Sequence, residues 1–150
     1  MEYQLGTTDI KAALDTLAKQ HERIGRALEQ VGYPEERRRE HSFETLARIV
    51  VGQQVSVAAA TSINKKLVTA LGGQLTATEV LNASDERLRS AGLSRQKVTY
   101  IQSLATAEAT GSLVLDSLPE LTDDDAAKVI TRIKGFGEWS TPMYLMFSLG

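Results

Sequence analysis

The chain has 150 residues, 42% of them hydrophobic and 24% charged, with a formal net charge of −2, which is enough apolar material for one buried core. It has no cysteine, which excludes disulfides and thiolate metal sites, and its two histidines, His21 and His41, are too isolated for a zinc site. No large basic excess announces a nucleic-acid binder, no basic-then-apolar leader opens the chain at Met1-Glu2-Tyr3-Gln4-Leu5, and no run reaches membrane-spanning length, so a cytoplasmic location is the default expectation.

Helical periodicity runs through nearly the whole chain. Ile10, Leu14, Leu17, His21, Ile24, Leu28 and Val31 recur in steps of three and four, which predicts one long helix ending near Gly32-Tyr33-Pro34. His21 lies on its apolar stripe and is expected at the core or its edge. Glu35 to Glu40 mixes both signs and reads as a solvated connector, with a phosphate contact from Arg37 to Arg39 as the alternative. Ser42 opens a second helix whose buried face is Phe43, Leu46, Ile49 and Val50, broken at Gly52-Gln53-Gln54. Ser56 caps a third, rich in small residues over Ala58 to Ala60, which runs to Leu71 and stops at Gly72-Gly73. Thr76 with Glu79 makes a capping box for a short helix, Ser84 starts another that ends at Gly92, and Ser94 caps the stripe Val98, Ile101, Leu104 and Ala105, closed by Gly111. Leu113 to Leu118 is an apolar linker that is extended at most, and one short segment makes no sheet. The expected fold is all-α, a single helical domain over residues 1–150.

The last segment carries the strongest pattern. Thr122 and the carboxylates of Asp123 to Asp125 suit a helix start. That helix buries Ala126, Val129, Ile130 and Ile133 and is expected to end at Lys134, with Gly135 taking positive φ. Gly137 lets the backbone approach another molecule, and the N–H groups of residues 137 to 140 are expected to lie unpaired at the next helix start, a seat for an anion such as phosphate. Pro142 is expected to kink or delay that helix unless the helix begins later than residues 137 to 140. A G-x-G alone is most often a tight turn. Here it is the second of two helix-turn-helix units, the other lying around Gly92-Leu93-Ser94. Arg87, Arg89, Arg95, Lys97, Lys128, Arg132 and Lys134, seven of the 17 Lys and Arg residues, lie in or beside them. Local cations of this kind suit duplex DNA; ordinary solvated helix charge is the alternative.

Three stretches carry a resemblance: Phe43 to Ser56 (FETLARIVVGQQVS), Ala91 to Lys97 (AGLSRQK) and Ile133 to Thr141 (IKGFGEWST). In this order and spacing the chain, over about residues 8 to 150, resembles the 3-methyladenine DNA glycosylase II group of the helix-hairpin-helix DNA glycosylase superfamily. The resemblance implies an all-helical glycosylase-like fold with the hairpin at about residues 122–149. The activity it implies is base-excision repair of alkylation damage by a monofunctional hydrolase, which flips a 3-methyladenine-type purine out of duplex DNA and cleaves its N-glycosidic bond. It implies DNA contacts from Gly135, Phe136, Gly137 and Ser140, from Ser94, Arg95 and Lys97, and from the gap-filling turn Gln53-Gln54, with Gln54 as the plug. If the two glutamines do not fill the gap, they cap the helix break instead.

Trp139 is the implied base pocket, since a cationic methylated purine is attracted to an indole face by about 1–2 kcal/mol when desolvated. Tyr144 is either a second pocket wall or a core residue beside Phe147. Where bifunctional relatives place a Schiff-base lysine, two residues after the second glycine, this chain has Trp139, which implies hydrolysis without strand cleavage. No cofactor is required; K+ or Na+ on the backbone of Gly135 and Gly137 is the implied cation. The catalytic aspartate of the family is expected in a segment following Gly150, so no catalytic residue is expected in this chain. The fold is expected to be C-terminally incomplete, with the activity of these 150 residues open. Neither Glu138 nor Asp123 to Asp125 is promoted to the role. Leu145, Met146, Phe147 and Leu149 are expected to present an apolar face suited to self-association or to another chain. Two further readings stand beside this one, a non-catalytic helix-hairpin-helix DNA-binding module and a structural or interaction domain. The expected partner is alkylated duplex DNA, and the expected location is the nucleoid.

Overall fold

Six helices begin at a side-chain hydroxyl. Ser42, Ser56, Thr76, Ser84, Ser94 and Thr122 each accept, over 3.2–3.3 Å, from the backbone N–H three residues on, satisfying one of the four donors that a helix start leaves free. The computed structural model describes residues 6–149, and these caps open α3 (Phe43–Gly52), α4 (Val57–Ala70), α5 (Ala77–Asn82), α6 (Asp85–Ser90), α7 (Arg95–Ala109) and α8 (Asp123–Thr131). α1 (Thr7–Gln20) and α2 (Glu22–Val31) precede them, and α9 (Ser140–Tyr144) follows, continued by a π-helical turn over Leu145–Leu149. Among the described residues there is no strand, and no helix is long and apolar enough to cross a membrane. The architecture is all-α, as expected.

The core is organised around α3. Its Leu46, Ala47, Val50 and Val51 are wholly buried among Ile101, Leu104 and Ala105 of α7 and Ile130 of α8. Packing on α4, α7 and α9 fixes the direction of α3, and its C-terminal break at Gly52-Gln53-Gln54 therefore emerges beside the chain's last hairpin.

The first helix differs from expectation. It divides at His21, whose extended backbone (φ −134°, ψ 101°) closes α1 and opens α2. The two pieces pack together where Gly25 faces Ala18, a Cβ there lying 3.5 Å from the Ala18 carbonyl oxygen. Neither piece contains a buried residue, and His21 is exposed rather than at a core edge. The stripe from Ile10 to Val31 was real, but its two halves serve each other. The linker after α7 is also more compact than an extended segment: Leu115–Glu120 forms a 3₁₀ turn anchored by buried Leu113 and Leu118.

Candidate nucleic-acid interface

α8 ends at Thr131, three residues before the expected Lys134, and the chain tightens through Ile133 N–H to Ile130 C=O (3.0 Å) and Phe136 N–H to Ile133 C=O (3.1 Å). Gly135 follows at φ +99°. A Cβ on it would lie 2.6 Å from Tyr100 Cδ2 and 2.8 Å from Tyr100 Cβ. Glycine is needed there twice, for the left-handed backbone and for the approach to α7. The Lys134 N–H donates to Ser103 Oγ (3.3 Å), so α7 seats the turn through two residues. Gly137 is the opposite case, because a Cβ added to it meets nothing within 4 Å.

Beyond that open glycine, the N–H groups of Gly137, Glu138, Trp139 and Ser140 have no hydrogen-bond partner among the described residues, and the first helical bond runs from Thr141 N–H to Gly137 C=O (3.1 Å). This is the donor set that suits an anion at a helix start. Pro142 does not kink α9. It is the third residue of a helix that begins at Ser140, inside the first turn, where the missing N–H costs no bond.

The two glutamines after α3 diverge. Gln54 is exposed and holds φ +56°, a left-handed conformation that no other non-glycine among the described residues adopts and that L side chains occupy at a cost of about 1–3 kcal/mol. Gln53 is half-buried, and its Nε2 donates to Gly135 C=O (2.7 Å) and, more weakly, to Ser140 Oγ (3.4 Å). Gln53 is therefore bonded to the hairpin instead of projecting beside Gln54.

Between this turn and the hairpin lies an open cleft of about 1010 Å³, ample for a nucleobase. Trp139, Ser140 and Met143 form one side, Gln53, Gln54 and Val57 another, and Arg38, Arg39 and Arg48 also line it. The Trp139 indole is 81% exposed. An aromatic ring left that open lacks a partner within residues 6–149, and the cleft is where one would stack. Met143 escaped the sequence reading, although it sits one helical turn after Trp139 and so shares its face. Arg48 escaped it too. Arg38 and Arg48 are paired with Glu36 (2.8 Å) and Glu44 (2.5 Å), both guanidinium groups being solvent-exposed, and pairs of this kind contribute about 0–1 kcal/mol.

Tyr144, five residues after Trp139, faces the other way. It is fully buried and does not line the cleft. The Leu115 carbonyl can only accept, so His41 Nε2 carries a proton toward it (2.8 Å) and His41 Nδ1 accepts from the Tyr144 hydroxyl (2.6 Å). Burial, and after it the nearby charge of Glu108, raises the Tyr144 phenol well above its ordinary range, so the hydroxyl stays a donor. Removing that donor in Tyr144→Phe is expected to cost about 1–3 kcal/mol in urea denaturation, because His41 Nδ1 is left without a partner. A loss below a few tenths would contradict the bond.

Several other sequence-predicted contacts are engaged by partners within the chain. The Phe136 side chain is buried (5% exposed) and its N–H is used within the turn, so Phe136 anchors the hairpin. Ser140 is buried and within hydrogen-bond reach of Gln53, and Ser94 Oγ caps α7. Lys97 donates its ammonium to the Val51 carbonyl (2.6 Å) at the end of α3, where partial burial pulls its pKa down. Lys128 is bound to Asp125 (2.8 Å). Arg95, Arg132 and Lys134 are exposed. As for a cation at the turn, Gly135 C=O already accepts from Gln53 and Gly137 C=O from Thr141, each keeping one lone pair. Among the described residues no group of three or more His, Cys, Asp or Glu could hold a metal ion.

An all-helical domain with two helices joined by a G-x-G turn, unpaired N–H groups beyond it and an aromatic cleft beside it has the architecture of a helix-hairpin-helix domain. Residues 47–149 match the HhH-GPD superfamily of base excision DNA repair proteins, and the chain belongs to that family. It is 32% identical over 110 residues to DNA-3-methyladenine glycosylase 1 of Schizosaccharomyces pombe, a match covering 71% of this chain and 48% of that relative. The structure is similar to that of the S. pombe 3-methyladenine DNA glycosylase Mag1 in complex with abasic DNA (TM-score 0.83, 30% identity, 93% of this chain and 70% of the other). It is also similar to a DNA-3-methyladenine glycosidase of Bacillus halodurans (TM-score 0.76, 31% identity, 91% and 64%). The chain spans about half the length of the first of these relatives.

Proposed function

We propose that this chain recognises alkylated purines of the 3-methyladenine type in duplex DNA, in the manner of a monofunctional N-glycosylase of base-excision repair. The unpaired N–H groups of residues 137 to 140 grip a phosphate of the damaged strand, and the exposed cations Arg95, Arg132 and Lys134 add sequence-independent attraction. Gln54, held out at φ +56°, enters the space left by the flipped base. The flipped purine stacks on Trp139, with Met143 on the same wall. The single observation that carries this reading is the 81% exposed indole on a cleft bounded by both the hairpin and the Gln53-Gln54 turn. The names of the relatives support the substrate class.

Trp139 has no amine, so the chain has no nucleophile at that position for a Schiff base. Hydrolysis needs a carboxylate near the sugar, and no side chain of residues 6–149 is assigned that step. Glu44 is held by Arg48, and Glu138 is exposed beside the phosphate-binding turn. A monovalent cation, K+ or Na+, would use the remaining lone pairs of Gly135 and Gly137 C=O, since backbone oxygens suit hard cations. Replacing K+ by a bulky organic cation at constant ionic strength tests this through duplex affinity. Nucleoid association in the cytoplasm belongs to the same proposal. So does self-association through the last helical turn, where Met146 is 50% exposed.

Anisotropy titrations with a duplex carrying one N-methylated purine, against the same duplex undamaged, test the function. Selectivity of about tenfold or more is expected from base stacking. Equal affinity would overturn the reading. Borohydride treatment on an abasic duplex is expected to trap no covalent adduct, and a trapped adduct would contradict the monofunctional assignment.

A further inference from the structure

We propose that Gln53 is a positioning residue that locks the gap-filling turn to the phosphate-gripping hairpin, so that Gln54 enters the duplex in fixed register with the held strand. This rests on the proposed recognition of damaged DNA. Three bonds converge on one short stretch at the end of α3. The Gln53 amide reaches Gly135 C=O at 2.7 Å and Ser140 Oγ at 3.4 Å, the two ends of the hairpin turn, across 82 and 87 residues of sequence. Two residues before it, Val51 C=O receives the Lys97 ammonium at 2.6 Å. α7 is thus a common base plate: Lys97 holds the end of α3, while Tyr100 and Ser103 hold the hairpin at Gly135 and Lys134.

The consequence is geometric. The end of α3 would otherwise leave its last carbonyls and the following turn free to fray. With Gln53 bonded across and α4 starting at the Ser56 cap, the left-handed backbone of Gln54 lies between two fixed points, Gln53 and Ser56. Gln53 touches neither the base nor the phosphate in this assignment; it acts through Gln54 and through the turn at Gly135.

The test uses the 150-residue chain, Gln53→Met, Gln54→Ala and the double variant. The probes are an undamaged duplex and one with a tetrahydrofuran abasic analogue. The wild-type chain is expected to prefer the abasic duplex, whose gap the plug fills. Gln53→Met keeps the side-chain length but loses the donor, and is expected to shrink that preference about fivefold, the worth of one hydrogen bond. Gln54→Ala shrinks it similarly, and the double variant falls no further, because both changes disable one device. A wild-type preference retained by Gln53→Met, or losses that multiply in the double variant, overturns the brace.

A measurement without DNA separates this claim from the recognition it rests on. In ¹⁵N relaxation dispersion, Gln53→Met is expected to set residues 53–56 and 135–140 exchanging on the microsecond to millisecond scale with one shared rate. Exchange in neither segment, or at two unrelated rates, overturns it. Absence of any duplex preference in the wild-type chain sinks the recognition and leaves the brace to be decided by this second measurement.

Discussion

Gly135→Ala is expected to destabilise the protein by roughly 2–5 kcal/mol, whereas Gly137→Ala leaves its stability unchanged and weakens DNA binding. The sequence assigns the two glycines different tasks, and the structure gives each task its physical cause. At Gly135 an added methyl must occupy space already filled by the Tyr100 ring, 2.6 Å from Cδ2, while holding φ +99°. Both penalties act on folding, and Tyr100 cannot retreat cheaply from the α7 face that carries it. At Gly137 the same methyl meets nothing within 4 Å. Its only effect is on a molecule arriving from outside, beside the four unpaired N–H groups. Loss of hydrogen bonds to a charged phosphate is expected to weaken duplex binding roughly tenfold or more. Urea midpoints and anisotropy on both variants check the separation. A stable Gly135→Ala, or a Gly137→Ala that binds duplex like wild type, would contradict it.

Trp139→Ala is expected to leave the fold intact and to remove most of the discrimination for a damaged base. A side chain 81% exposed contributes little to the core, so the urea midpoint should stay within experimental error. Stacking of a base on an aromatic side chain is worth about 1–3 kcal/mol, and the positive charge of an N-methylated purine adds to the attraction of the indole face. The ratio of affinities for alkylated and undamaged duplex is therefore expected to fall by roughly ten- to a hundredfold, while affinity for the undamaged duplex, set by phosphate contacts, changes little. A parallel loss for both duplexes would place Trp139 on the backbone rather than at the base.

What the sequence disclosed follows a physical division. Local chemistry was legible: Ser42, Ser56, Thr76, Ser84, Ser94 and Thr122 each mark a helix start that needs only the next three residues to form. Gly135 announced its positive φ for the same reason. The break at His21 was not legible, because a three-four stripe stays continuous when two shorter helices pack on each other instead of on the core. Side-chain direction failed wherever a distant partner decides it. Lys97 reads as a surface cation until the end of α3 is placed against it, 46 residues back. Tyr144 turns to His41, 103 residues away, and leaves the cleft wall to Met143. Phe136 sits between two glycines and reads as a contact residue, yet the turn buries it. Gln54 stands out as the plug through the family resemblance, but the bond that ties Gln53 to the hairpin depends on residues 82 and 87 positions away and has no local signal.

The central claim is that the cleft beside the hairpin receives a flipped alkylated purine on Trp139. The chain's intrinsic emission tests it directly, since Trp139 is the single tryptophan of the sequence. Titration with a duplex carrying one N-methylated purine is expected to quench that emission, with the undamaged duplex producing little change at equal occupancy and the Gln54→Ala variant requiring more DNA for the same quench. Equal quenching by both duplexes, or none by the alkylated one at saturating binding, would contradict the account.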